Sequence, residues 1–410
     1  MEKSMLKKFL CVCTFIIISL SVYANDTAGT ILPTGGVVFE KQDGIKMQVE
    51  ALYIRPKQIE VNYLFENTTD KDITIQVFFP LPEMSAISDY YGYYRDAKHQ
   101  FNFKLWINGK ETKYQTHFTL TQNDREIPSV ALQLWKTPEE SLDFNQFNER
   151  VAAMPEQDRQ ILLDGNYLKW DGTFVKDPKT NEWEEGEGWT MDETDSTWWQ
   201  KQISYSWRQT FPAHKTVAVR HTYIPSYKTV NTGHPFSKCI DYDSEQYQEF
   251  VYIPEEEKTR KWQERLESRD YLEYILTTAN NWQGPIENFN LLVESPLKSV
   301  GCFDGEEFYG ERYYTINRQN YTPEWDMSVD FIVKDYRDIP HNYVPKSEPA
   351  LYRIDGPANL RDRPNGKVTA QLADKTYVWV WPDNKKGKWY PVRQNDLSGY
   401  THKQNLIKVF

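Results

Sequence analysis

The chain has 410 residues, of which 15% are aromatic and 26% charged, and it carries a net charge of −11. That length exceeds what a single hydrophobic core usually serves and implies two or three domains. The acidic balance excludes the basic footprint that nucleic-acid binding needs, so no nucleic-acid partner is expected.

The N-terminus reads as an export leader. Lys7 and Lys8 precede an apolar run from Phe9 to Val22, and Val22-Tyr23-Ala24 fits cleavage before Asn25. Such a run falls short of the ~20 residues that span a bilayer. No later stretch is apolar enough to span, so residues 1–24 are assigned to a cleaved signal peptide. The mature chain is expected in the periplasm or secreted. Cys11 and Cys13 leave with the leader, because a lipid-bearing cysteine would follow the apolar run. Cys239 and Cys302 remain, and in an oxidising compartment two cysteines most simply form one disulfide, two buried thiols being the alternative.

Strands come first. Residues 44–54, 58–67 and 72–79 alternate apolar and polar side chains, with Asn, Asp, Gly and Pro between them. Residues 101–107 and 110–118 flank Asn108-Gly109, the pair a type I′ hairpin turn demands. Helices are expected after Pro138, with Leu142, Phe147 and Val151 as apolar marks, and after Pro155, ending at Asp164-Gly165. From Glu182 to Asp195 seven of fourteen positions are acidic, which reads as a solvated excursion pinned by Trp183 and Trp189. Strands return at 203–211 and 216–223. Pro254, followed by Glu255, Glu256 and Glu257, opens a helix whose apolar face runs through Trp262, Leu266, Leu272, Ile275 and Leu276. Further strands follow at 289–294, 311–316 and 327–333. The expected class is α+β, mainly β: a large antiparallel β-sandwich with inserted helices over residues 25–340. A proline-punctuated linker at 341–350 leads to a small module at 351–410.

That module carries eleven Lys/Arg against five Asp, a charge of +6, which leaves −19 on residues 25–350 once the leader is removed. This asymmetry is the strongest compositional boundary in the chain.

Several motifs carry a resemblance. Gly35-Gly-Val-Val-Phe, Val61-Asn-Tyr-Leu-Phe-Glu-Asn, Phe79-Pro-Leu-Pro, Trp207-Arg-Gln-Thr-Phe-Pro-Ala, His221-Thr-Tyr-Ile-Pro and Thr277-Thr-Ala-Asn-Asn-Trp-Gln-Gly-Pro run in order from residue 25 to about 335. Together they resemble an exported bacterial family, domain of unknown function 4424. The resemblance implies export and one large domain, and it brings no site. Ala358-Asn-Leu-Arg-Asp-Arg-Pro, Thr376-Tyr-Val-Trp-Val-Trp, Lys388-Trp-Tyr-Pro-Val-Arg and Ser398-Gly-Tyr-Thr-His resemble bacterial SH3-like modules, which implies a five-stranded small barrel. The pair Trp379 and Trp381 departs from that pattern: two apart, they share one strand face.

No catalytic constellation stands out: there is no Gly-x-Ser-x-Gly, and a disulfide would remove both mature thiols. The histidines form no ligand pair, and His214 and His221 read as ordinary strand-edge residues. Asp241, Asp243 and Glu245 alternate as calcium ligands can, without the glycine turn and distant Glu of a helix–loop–helix site. No metal or cofactor is therefore assigned. Tyr90, Tyr91, Tyr93 and Tyr94 form a cluster that covers a sandwich end or meets a partner. The best candidate for binding is the module, through Arg361, Arg363, Trp389, Tyr390 and Tyr400. Its ligand would be peptidoglycan or an envelope protein; equally, the basic module would dock on its own acidic domain. The expectation is a non-catalytic envelope protein that binds through this module. An envelope enzyme with its site in the large domain, or an assembly partner using the tyrosines, are the rivals.

Overall fold

The computed structural model describes residues 25–31, 37–88, 101–123, 125–176, 183–190, 199–225, 228–231, 239–241, 243–251, 268–295, 298–332 and 347–410. The leader, the tyrosine cluster and residues 252–267 of the helix expected after Pro254 lie outside these.

The fold is mostly β, as the alternating patterns require. One seven-stranded sheet has the spatial order Tyr313–Tyr321, Ile286–Glu294, Ile45–Arg55, Gln58–Asn67, Thr216–Ile224, Phe101–Ile107 and Lys110–Thr112. A second sheet contains Gln115–Gln122, Gln200–Phe211, Ile73–Pro80, Thr27–Ile31 and Val37–Glu40. A third, with five strands, holds Ser268–Tyr274, Met327–Ile332 and Lys298–Phe303. Side chains from all three meet in one core that includes Phe65, Phe79, Phe103, Tyr205, Trp282 and Phe289. The sandwich is not wholly antiparallel: Ile286–Glu294 runs parallel to Ile45–Arg55. Sequence alternation cannot distinguish the two, because both put successive side chains on opposite faces.

A bulge between Met47 and Val49 resets the facing of the strand Ile45–Arg55. Met47, Leu52 and Ile54 join the sandwich core, whereas Val49, Ala51 and Tyr53 point the other way. Asn108 and Gly109 both have positive φ, 48° and 78°, as the hairpin turn demands. The hairpin's second arm is only Lys110–Thr112; from Gln115 the chain crosses to the second sheet.

Of the two helices expected near residue 150 the second forms as expected, whereas the first is shorter: Leu142, expected on it, lies in a two-residue strand, Leu142–Asp143, paired with Ile87–Ser88. Phe144–Ala153 starts six residues beyond Pro138, because Asp143 and Gln146 make a capping box. Glu156–Asp164 follows Pro155 and stops at Gly165. Phe147, Val151 and Leu162 pack with Trp135 and Trp199 in a side core. Within the acidic excursion Trp183–Thr190 is a strand, paired in a hairpin with Lys169–Lys176 that precedes it. The helix expected to run through Leu272 is overturned: Leu272 sits in the strand Ser268–Tyr274, paired with Met327–Ile332. Short apolar runs fit either period, and here sheet pairing decides. Cys239 and Cys302 form a disulfide with Cα atoms 5.9 Å apart.

The C-terminal module has seven strands rather than five, in the order Val368–Leu372, Ala358–Arg361, Leu397–His402, Trp389–Gln394, Tyr377–Val380, Ala350–Ile354 and Leu406–Lys408. The two extra strands are its own ends: Ala350–Ile354 pairs with Leu406–Lys408 and so ties them together. Ile354, Leu360, Leu372, Val378, Val380 and Val392 fill its core.

Candidate functional site

Within Tyr377–Val380, alternation sends Val378 and Val380 into the module's core and Trp379 out of it. Trp379, Trp381 and Leu351 then pack on Val49, Ala51 and Tyr53, the outward residues released by the bulge, and on Leu292 of the neighbouring strand. The Trp379 indole N–H donates to the Leu291 carbonyl at 3.2 Å. Arg393 donates to the Tyr313 carbonyl at 3.1 Å, and Thr315 to the Asn395 carbonyl at 2.7 Å. The module is thus docked on the large domain by apolar burial and by hydrogen bonds to carbonyl oxygens, one of them from the Arg393 guanidinium. Beside this seam lies an open cleft of about 770 Å³, lined in part by Tyr53, Arg55, Glu60, Arg220, Trp379 and Phe410. Its arginines are already paired, Arg55 with Glu348 at 2.7 Å and Arg220 with Glu60 at 2.8 Å. The sequence reading missed this cleft, since its walls come from five separated segments.

Of the five residues expected to bind ligand, Tyr390 does not face out. It is 8% exposed and belongs to the module's core, because its neighbour Trp389 takes the opposite face of the strand. Arg361, Trp389 and Tyr400 do come together. Tyr400 is the cross-strand partner of Arg361 and of Pro391, and Trp389 pairs with His402. The Arg361 guanidinium lies 5.6 Å from the Trp389 ring and donates to the Gly366 carbonyl at 2.6 Å. His402 meets the Trp389 ring edge-on at 5.3 Å, and the Lys386 ammonium sits 5.5 Å from the Tyr400 ring. Trp389, Tyr400 and Arg361 are half-buried; Lys386, Lys388 and Arg363 are exposed. The strip therefore presents aromatic faces flanked by cations, an arrangement suited to stacking and to anionic groups.

The histidine reading needs correction. His214 is exposed and 2.7 Å from Asp70. His221 is wholly buried mid-strand, its Nε2 3.2 Å from Asp26 Oδ1. Asp26 belongs to a polar centre between the sheets. Asn25, Asp26 and Glu50 are all 0% exposed. Asn25 Nδ2 donates to both Glu50 oxygens, at 3.1 and 3.2 Å, and Tyr63 donates to Asn25 Oδ1. Thr278 donates to the Asn25 carbonyl at 3.1 Å and the Trp282 indole to the Asp26 carbonyl at 2.6 Å. Burial pushes the Glu50 carboxyl up to about 8, with Asp26 adding to the rise. Burial raises the Asp26 carboxyl too, against the lowering effect of His221. No sequence signal marked this centre, because its members come from residues 25 to 282.

Asp241 and Ser244 serve the chain locally. Asp241 Oδ1 accepts from the Asp243 amide at 3.1 Å, and the Ser244 hydroxyl accepts from the Tyr247 amide at 3.1 Å, capping the helix Glu245–Val251. Among the described residues no three His, Cys, Asp or Glu side chains group as metal ligands. No helix among them is long and apolar enough to cross a membrane.

Residues 24–329 match the family model described as a domain of unknown function (DUF4424), and the chain belongs to that family. No curated protein matches it. A crystal structure of a putative nutrient binding protein from Legionella pneumophila subsp. pneumophila str. Philadelphia 1 is 15% identical, with a TM-score of 0.31, over 75% of this chain and 71% of that one.

Proposed function

We propose that this DUF4424 member is an exported, non-catalytic envelope protein whose C-terminal module, an SH3-like barrel, holds an anionic, peptide-bearing wall polymer. One observation carries this: the strip of Arg361, Trp389 and Tyr400, with Lys386 alongside, whose described contacts all lie within the module while a different set of aromatics docks it. Half-buried aromatic rings held by cation contacts are preorganised, so little side-chain entropy is lost when a ligand stacks on them. The exposed lysines add attraction for carboxylates that salt weakens.

The test is co-sedimentation of the whole mature chain with purified sacculi. The isolated module would expose Trp379 and Trp381, whose apolar faces adsorb to surfaces non-specifically. Wild type is expected to pellet. Trp389→Ala and Arg361→Ala should each weaken binding roughly tenfold, the value of a well-formed stacking or cation–ring contact. Wild type remaining in the supernatant at low salt, or both variants pelleting like wild type, would overturn the proposal.

A further inference from the structure

The chain's expected mature N-terminus lies not on the surface but inside the sandwich. Asn25, Asp26 and Thr27 are each 0% exposed. Their surroundings are acidic and short of positive charge. Glu50 contacts no cationic side chain among the described residues, and the only ion-pair partner of Asp26 among them is His221. Asp26 Oδ2, also buried, has no hydrogen-bond partner. Two carboxyls and one imidazole thus lie beside residue 25, and both Asp26 Oδ2 and His221 Nδ1 are without a hydrogen-bond partner. A buried carboxylate without a cation is costly, and a group that supplies one charge and three donors would offset that cost.

We propose that removal of the leader before Asn25 creates that group: the new α-ammonium of Asn25 is the buried counter-ion of Glu50 and Asp26. The inference rests on the export reading above. A signal-processing peptidase hydrolyses the Ala24–Asn25 amide. Water supplies hydroxide to the Ala24 carbonyl carbon and a proton to the Asn25 nitrogen as the C–N bond breaks, and the proton of the new carboxylic acid passes to the amine, so the leader departs as a carboxylate and the mature chain starts as an ammonium. The side chain of Asn25 is already bonded to both Glu50 oxygens, which puts its main-chain nitrogen within one residue's reach of the same carboxylate. The family match begins at residue 24, next to this position. Because the bond to be cut leads into a buried residue, cleavage precedes closure of the two sheets. Processing and completion of the core are then a single committed event, and a chain that keeps residues before Asn25 lacks the ion pair.

The experiment compares two full-length chains exported and oxidised identically, one native and one with Gly-Ser inserted between Ala24 and Asn25. Each is then repeated with Glu50→Gln. N-terminal sequencing of the exported native chain is expected to begin at Asn25. A start elsewhere, or an uncleaved chain, overturns the export reading and this inference with it. With Asn25 first, the native chain should melt several degrees above the extended one, and Glu50→Gln should shrink that gap. Equal melting temperatures, or a gap indifferent to Glu50→Gln, would sink the ion pair and leave export standing. If the extended chain does not fold, acylation of the native chain decides. A buried α-amine resists an amine-directed acylating reagent at neutral pH until the protein is denatured, whereas acylation in the folded state overturns the proposal.

Discussion

At the scale of single residues, Glu50 has the clearest pH consequence. In a chain without the α-ammonium its folded-state carboxyl lies near 8, against an ordinary value of 4.5. The folded form then keeps a proton that the unfolded form has lost, so stability falls as pH rises between those values, the reverse of a salt-bridged carboxylate. The Gly-Ser-extended protein should therefore show urea midpoints that decline from about pH 5 to about pH 8, and Glu50→Gln should flatten them. In the mature chain the ammonium opposes the decline. A midpoint that climbs through this window in a Glu50-dependent way would show that the carboxyl is ionised at no cost. None of this was legible in the sequence, because Glu50 sits in an ordinary alternating strand and acquires its character from Asn25 and Asp26. The misplacement of Tyr390 was avoidable: adjacent aromatics on one strand cannot share a face, so Trp389 outward already implied Tyr390 inward.

At the scale of elements, what could be read was whatever local chemistry determines. The Asn108-Gly109 turn, the proline start and glycine stop of Glu156–Asp164, and the alternating strands all formed where their residues demand it. What could not be read was decided by partners far away. Leu272, Ile275 and Leu276 fit a helical stripe until Met327–Ile332 offers Ser268–Tyr274 a ladder. The same third sheet carries the disulfide, since Cys302 lies in the strand Lys298–Phe303. Its other end, Cys239, lies by the segment that leads to the helix Glu245–Val251. That helix is short and touches the sheet mainly through Tyr247 and Phe250 with Val300 and Tyr309. With a sequence separation of 63, the cross-link is worth up to about 4 kcal/mol through the unfolded state. Replacing both cysteines by serine should lower the urea midpoint by a corresponding amount. Proteolysis under native conditions should then cut first near residues 239–251. An unchanged midpoint would mean that the helix is held by its apolar contacts alone.

For the whole molecule, the charge asymmetry pointed to docking of a basic module on an acidic domain, but the observed seam is of another kind. Trp379 and Trp381 lie against Val49, Tyr53 and Leu292, and the polar contacts across it are mostly to carbonyl oxygens. A charge-driven dock would loosen at 1 M salt, where the screening length is about 3 Å; an apolar one would hold or tighten. The tryptophans that broke the SH3-like pattern are explained by this: they are the module's attachment, and the bulge in Ile45–Arg55 turns the facing residues toward them. Attachment and the Arg361–Trp389–Tyr400 strip then occupy different parts of the module, so one can be removed without the other. Trp379→Ala should cost about 3–5 kcal/mol of docking by leaving a cavity and an unpaired Leu291 carbonyl. Thermal unfolding should split into two transitions, with the module's own core of Ile354, Leu360 and Val380 melting separately. Sacculus binding should persist in this variant, while Trp389→Ala should bind roughly tenfold more weakly and keep a single transition. Loss of binding in Trp379→Ala, with the module still folded, would place the ligand in the seam or its neighbouring cleft rather than on the outer strip.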